Sequence, residues 1–198
     1  SGRAPGLFSP SNVVVSDGSV KMYARSAKRN DSWPKNFDNF TTSAIHSLDR
    51  TSEGYFEIRS RSGNSSISSS FWFHQNDGNG SWTEIDVFES TGSDAPNAIG
   101  GMNSKQLCSH THIFELVGVD PKDFPYKCGG CALHTSSSGQ SICSLGGCVV
   151  QPFSFDDGFH VYGLEWNSSL VSIYVDGNFM QSFDATCFQQ KIGMDFDR

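Results

Sequence analysis

Trp82-Thr83-Glu84-Ile85-Asp86-Val87-Phe88-Glu89 reads as a strand whose phase breaks once. Side chains alternate across a strand, so Glu84 and Asp86 share one face while Ile85 and Val87 share the other. Strict alternation would put Phe88 beside the acids and bury Glu89 among apolar neighbours, which is costly for a carboxylate. One extra residue between Asp86 and Glu89, a β-bulge, returns Glu89 to the acidic face. The segment predicts three carboxylates in a row on a concave surface. Trp82 lies on the same face, with Ile85 and Val87 packed behind.

Outward from this strand the period stays near two. Val20, Met22 and Ala24 alternate with Lys21, Tyr23 and Arg25, and Asp17-Gly18 joins them to the run from Asn12 to Val15 as a hairpin. A clearer hairpin runs from Val171 to Val175, turns at Asp176-Gly177 and returns from Asn178 to Phe183. Further strands are expected at 41–47, 54–62, 69–75, 82–90, 98–103, 110–116, 159–166 and 189–196. Gly, Ser, Asn and Asp clusters separate them, and no amphipathic helix of several turns is visible. Many short strands punctuated in this way predict an all-β chain, an antiparallel sandwich or jelly roll, in one domain over 1–198. Residues 117–150 break the rhythm with Pro121, Pro125, four cysteines and a Ser/Gly tract. They are expected to form one disulfide-tied insertion.

The 198 residues suffice for one domain with a substantial core, and they carry a formal charge of -7. An acidic surface argues against sequence-independent nucleic-acid binding and against anionic membranes, so neither partner is expected. No apolar run reaches the length of a membrane span. The sequons at Asn30, Asn39, Asn64, Asn79 and Asn167 and the even count of six cysteines point to a secreted, disulfide-bonded glycoprotein. A zinc site at Cys128, Cys131, Cys143 and Cys148 is the alternative. The sequons and the lack of basic surface favour disulfides, whose pairing the sequence does not specify.

Three clustered acids destabilise a fold unless they do chemistry. A retaining glycosidase needs two carboxyl groups flanking the scissile bond, one as nucleophile and one as acid and then base. An acid between them can hydrogen-bond the nucleophile and, through like-charge coupling, hold one neighbour protonated. Alone, Glu-x-Asp-x-x-Glu also arises by chance on a solvated strand. Its surroundings carry more weight: Gly54-Tyr55-Phe56-Glu57-Ile58-Arg59, Ser69-Ser70-Phe71-Trp72-Phe73, Thr111-His112 and Phe159-His160-Val161-Tyr162-Gly163-Leu164-Glu165-Trp166.

This ordered series resembles glycoside hydrolase family 16, whose signature strand is Glu-x-Asp-x-x-Glu in its bulged form. The resemblance covers the chain apart from the cysteine-rich stretch. It implies a β-jelly-roll of two antiparallel sheets with a concave cleft, and a retaining, endo-acting hydrolase. It also implies Glu84 as nucleophile, Asp86 as supporting acid and Glu89 as general acid/base. Against that family the chain starts after the first strand and stops before the last ones, so the sandwich is expected to be incomplete at both ends. No cofactor is required; a structural calcium is not readable from the sequence. The expected partner is the polysaccharide, met by a monomer.

Trp72, Trp82 and Trp166 are candidates for stacking on sugar rings, Trp82 foremost because the acids set its face. His112 matches the family's habit of placing a histidine beside the acids. His110 shares its face, which is also the geometry of a metal pair, though nothing else in the sequence supports one. Glu57 and Arg59 are expected to form a structural pair. Arg3, in Gly2-Arg3-Ala4-Pro5, and Asn12 look like the cleft edge of members acting on red-algal galactans. The bulged strand argues against the mixed-linkage and plant branches. The opening residues and Trp82 to Glu89 look most like agarases and porphyranases, with a laminarinase-like endo-β-1,3-glucanase as the alternative. A non-catalytic recognition protein would be expected to replace a glutamate. A transglycosylase would use the same acids.

Overall fold

The computed structural model describes residues 2–3, 5–76, 81–92, 103–118, 120, 131–136 and 139–186. They divide into two units, Ser1–Thr51 and Ser52–Arg198. Among the described residues no helix is long and apolar enough to cross a membrane.

The first unit holds β1 (Gly2–Arg3), β2 (Gly6–Phe8), β3 (Val13–Ser16), β4 (Ser19–Met22), β5 (Arg25–Ser26) and β6 (Phe40–Thr42). Strands order as β1-β2-β6-β5, with β2 and β6 parallel, and β3 pairs with β4. The β3–β4 hairpin turns at Asp17 (φ 53) and Gly18 (φ 71), both left-handed, as a two-residue type I′ turn requires. The strand expected over 41–47 is only β6, ending at Thr42. Asn12 is 1% exposed; its Nδ2 donates to the Thr42 carbonyl at 3.1 Å and its Oδ1 accepts from the Arg25 guanidinium. With both ends of its amide engaged, Asn12 ties this unit together. The Arg3 side chain lies outside the described residues.

The second unit has two antiparallel sheets. β7 (Gly54–Ser60), β8 (Ser69–Asn76), β9 (Trp82–Ser90), β10 (Gln106–Val117), β11 (Ala132–Thr135), β12 (Gln140–Val150), β13 (His160–Trp166), β14 (Leu170–Val175) and β15 (Asn178–Asp184) follow in the chain. The larger sheet orders β11-β12-β10-β9-β8 and the smaller β15-β14-β13-β7. Asp176 and Gly177 are left-handed and close β14 onto β15 as expected. Residues 98–102 and 189–196, expected as strands, lie outside the described residues.

Between the sheets the apolar phases meet. Ile85, Val87, Phe88, Leu107, Ile113 and Leu145 from the larger sheet pack with Tyr162, Leu164, Trp166, Val171, Ile173 and Val175 from the smaller. Phe88 and Tyr162 meet with ring centroids 4.2 Å apart. Each such aliphatic side chain contributes about 1.5–3 kcal/mol through burial. On the outer face of the smaller sheet, Glu57 accepts from the Tyr55 hydroxyl at 3.1 Å, while the Arg59 guanidinium lies 4.5 Å from the centre of the Phe159 ring. The expected Glu57–Arg59 pairing gives way to these two contacts.

The stretch 117–150 is not the aperiodic loop expected from composition. It supplies β11 and β12, and β12 is an inner strand paired along β10. Small residues and cysteines hid its period: Ser141, Cys143 and Leu145 face the core, while Ser144 and Gly146 face away. Two disulfides staple it, Cys131–Cys143 and Cys108–Cys148. Three cysteines of the zinc alternative are therefore already bonded; Cys128 and Cys187 lie outside the described residues. Cys108–Cys148 spans 40 residues, so closing that loop restricts the unfolded chain by about 4 kcal/mol. A Cys108→Ser/Cys148→Ser variant is expected to lose stability of that order in denaturant unfolding. A loss under about 1 kcal/mol would show that the cross-link constrains little.

Candidate active site

The bulge lies where the phase argument requires it. Trp72 faces Asp86 and Phe71 faces Phe88 on the β8 side, leaving Val87 unmatched. On the β10 side, His110 faces Asp86 and Cys108 faces Glu89. Val87 and Phe88 both turn into the core, at 0% and 2% exposure, and Glu89 regains the face of Glu84 and Asp86. The carbonyl freed by this irregularity is not left bare: the buried Ser109 hydroxyl donates to Val87 O at 2.7 Å. Ser109→Ala removes that donor, and an unsatisfied buried carbonyl costs about 1–3 kcal/mol. Calorimetry of the variant should show that loss; an unchanged melting point would mean that the bulge holds itself.

Cross-strand register then assembles one surface. Trp72, His74 and Asn76 on β8 face Asp86, Glu84 and Trp82 on β9. From β10, His110, His112 and Phe114 face Asp86, Glu84 and Trp82 in the same order. His112 Nε2 lies 3.4 Å from Asp86 Oδ2, and its Nδ1 is 2.7 Å from Ser144 Oγ on β12. Asp86 is 4% exposed. Burial raises the Glu84 carboxyl from its ordinary 4.5 to about 7, helped by the Asp86 charge, opposed by His112 and helped again by Glu89. Burial likewise lowers His110 and His112 below the usual imidazole range. Both rings are therefore neutral near pH 7, and Glu84 keeps its proton well above the range in which a free carboxyl loses it.

The three acids and His112 come together. Trp82 keeps its expected face, but its ring stacks on Phe114 at 4.2 Å, so one ring face is already covered. Trp72, 42% exposed, is the more open platform, its ring edge-on to His74 at 5.5 Å. Trp166 is not a cleft residue: it is 4% exposed and belongs to the core of the smaller sheet. Its strand places Tyr162, Leu164 and Trp166 on the core-facing side, and the sequence does not say which sheet a strand joins. Trp166→Ala should cost about 3–5 kcal/mol of stability as a cavity mutation. Trp72→Ala should leave the melting point nearly unchanged and weaken oligosaccharide binding, read by calorimetry. The opposite pattern would reinstate Trp166. His74, Phe114 and Ser144 escaped the sequence reading; continuing the alternation two residues past Trp72 reaches His74, whereas Ser144 lay hidden in the unread β12.

The chain matches the family described as Beta-porphyranase A-D, GH16 domain, over residues 1–198. It belongs to glycoside hydrolase family 16. This family-16 domain is 29% identical over 191 residues to beta-porphyranase B of Zobellia galactanivorans, covering 91% of this chain and 58% of that protein. Over 76 residues it is 36% identical to beta-porphyranase D of the same organism, covering 36% of this chain and 18% of that protein. The chain thus spans less than two thirds of the length of either relative. Among solved structures, porphyranase B from Zobellia galactanivorans superposes with a TM-score of 0.66 at 21% identity, over 92% of this chain and 64% of that one. A kappa-carrageenase from that organism gives 0.64 at 20%, over 93% and 64%. The laminarinase catalytic domain of Thermotoga maritima gives 0.61 at 17%, over 96% and 66%. These likenesses establish the family-16 jelly-roll fold.

Proposed function

We propose that this domain is a retaining, endo-acting glycoside hydrolase that cleaves a β-linked red-algal galactan of the agar or porphyran type. The bulge of β9 carries the reading, because it sets Glu84, Asp86 and Glu89 on one face with Trp72 and His112 beside them. Glu84, as carboxylate, attacks the anomeric carbon while Glu89 gives its proton to the departing glycosidic oxygen. A glycosyl ester on Glu84 results. Glu89 then takes a proton from water, the water oxygen attacks the same carbon, and the Glu84 carboxylate leaves; two inversions retain configuration. Asp86, held by His112, takes the proton of the Glu84–Asp86 pair so that Glu84 can attack.

Substrate choice draws on the relatives, which are named beta-porphyranases. Trp72 is proposed to stack on the sugar, with Trp82 and His112 lining the cleft. Export agrees with the two disulfides and with the exposed sequon residues Asn30, Asn39, Asn64 and Asn167. The test is reducing-sugar release by the protein from agarose, porphyran, carrageenan and laminarin. Release from agarose or porphyran supports the proposal. Release from laminarin alone makes the protein an endo-β-1,3-glucanase. Binding without release makes it a recognition protein, and elongated products with an oligosaccharide acceptor make it a transglycosylase.

A further inference from the structure

Asp86 and His112, which have a part in the proposed cleavage, also belong with His110 to a second donor set assembled by β9 and β10. Asp86, His110 and His112 each present one ligand-type atom, and these atoms all lie within 4.8 Å of one another. The His112 Nε2 to Asp86 Oδ2 separation, 3.4 Å, already matches the edge of a tetrahedron with bonds of about 2.05 Å. A spacing of two along β10 puts both imidazoles on one face, with ring centroids 5.5 Å apart and planes 23° from parallel.

Two further features look built around these rings. A metal-bound imidazole needs its other nitrogen held, and His112 Nδ1 sits 2.7 Å from Ser144 Oγ. An Nδ1–H donated to that hydroxyl leaves the Nε2 lone pair directed at Asp86. Across from His110 stands Gly146, where an added Cβ would lie 2.7 Å from His110 Cδ2 and 2.3 Å from Ser109 O. Any side chain at 146 would displace the His110 ring from its place beside His112.

We propose that His110, His112 and Asp86 form a site for a transition-metal ion of the Zn²⁺ or Cu²⁺ class, and that its occupation shuts the cleft. Two imidazole nitrogens and one carboxylate oxygen suit these ions, whereas Ca²⁺ and Mg²⁺ call for oxygen ligands. An ion held there engages Asp86, which neighbours Glu84 on the same face, and so competes with polysaccharide. Binding stands on geometry alone; inhibition rests on the catalytic reading of β9.

Zn²⁺ titrated calorimetrically into the polysaccharide-free protein should bind at one site per chain, with Mg²⁺ and Ca²⁺ giving no such heat. His110→Gln should weaken Zn²⁺ at least about tenfold, as should Ser144→Ala. Electron paramagnetic resonance of the Cu²⁺ form of the unsubstituted protein should report two imidazole nitrogens, a readout independent of variant folding. Absence of Zn²⁺ binding at about 1 mM, unchanged affinity in His110→Gln, or fewer than two nitrogens on Cu²⁺ overturns the site. In the activity arm, Zn²⁺ should suppress polysaccharide cleavage reversibly with EDTA, and His110→Gln should cleave without Zn²⁺ sensitivity. Binding without inhibition keeps the site but overturns the cleft-shutting half. Binding in a protein that cleaves no polysaccharide keeps the site and removes the catalytic reading instead.

Discussion

Glu84→Gln is expected to abolish cleavage, by at least about 10⁴-fold, while oligosaccharide binding survives and the variant melts above the parent at pH 8. The two effects share one cause. Glu84 sits where its charge is expensive, which lifts its carboxyl from 4.5 to about 7. Below pH 4.5 the group is protonated in both folded and unfolded chains and contributes no difference. As pH rises from 4.5 to about 7 the folded protein keeps a proton that the unfolded chain releases, so stability falls across that window. Above it the cost is complete, on the order of 3 kcal/mol. Glutamine mimics the protonated acid and donates to Asp86, so the variant's advantage is absent below pH 4.5, grows as pH rises and is complete above about 7. Thermal melts of both proteins at pH 4 and pH 8 check this. Equal melting points at pH 8 would show that Glu84 pays no such cost, and residual turnover would remove it as nucleophile.

Glu89→Ala is expected to reduce polysaccharide hydrolysis by about 10³-fold, far less for a substrate whose leaving group needs no proton. With such a substrate, the glycosyl ester on Glu84 still forms but water lacks its base. Azide needs no base, so added azide should restore turnover and give a glycosyl azide of retained configuration. Glu84→Ala with azide should instead give the inverted azide, because the small anion enters from the vacated nucleophile side. Proton magnetic resonance of the products separates the two. An inverted azide from Glu89→Ala would exchange the two roles.

How far the sequence could be read depended on what set each residue's environment. The phase of Trp82 to Glu89 required a bulge, because a carboxylate does not enter an apolar core unpaired, and the pairing of Phe71 and Cys108 with β9 shows one there. The Asp-Gly turns were equally legible, since few residues other than glycine tolerate a left-handed backbone. Trp166 misled because an indole in a strand is compatible with either side of a sheet, and which side is core depends on the partner sheet. Strand β12 was missed because cysteine and serine carry little periodic signal, although Cys143 and Leu145 fill core positions. Ser109 and Ser144 were invisible as anything but small polar residues. Their importance lies in the atoms they meet, Val87 O and His112 Nδ1.

What the sequence by itself determined is therefore local: the alternation of the strands, their tight turns, and the three acids on one face of a bulged strand. A two-residue period and the cost of a buried charge suffice for that. Only the tertiary structure decided which aromatic lies exposed on the face of the acids and which fills the core. It also decided that β12 flanks β10, and that His110 and His112 converge on Asp86. These follow from register between strands distant in the chain, which no local pattern encodes.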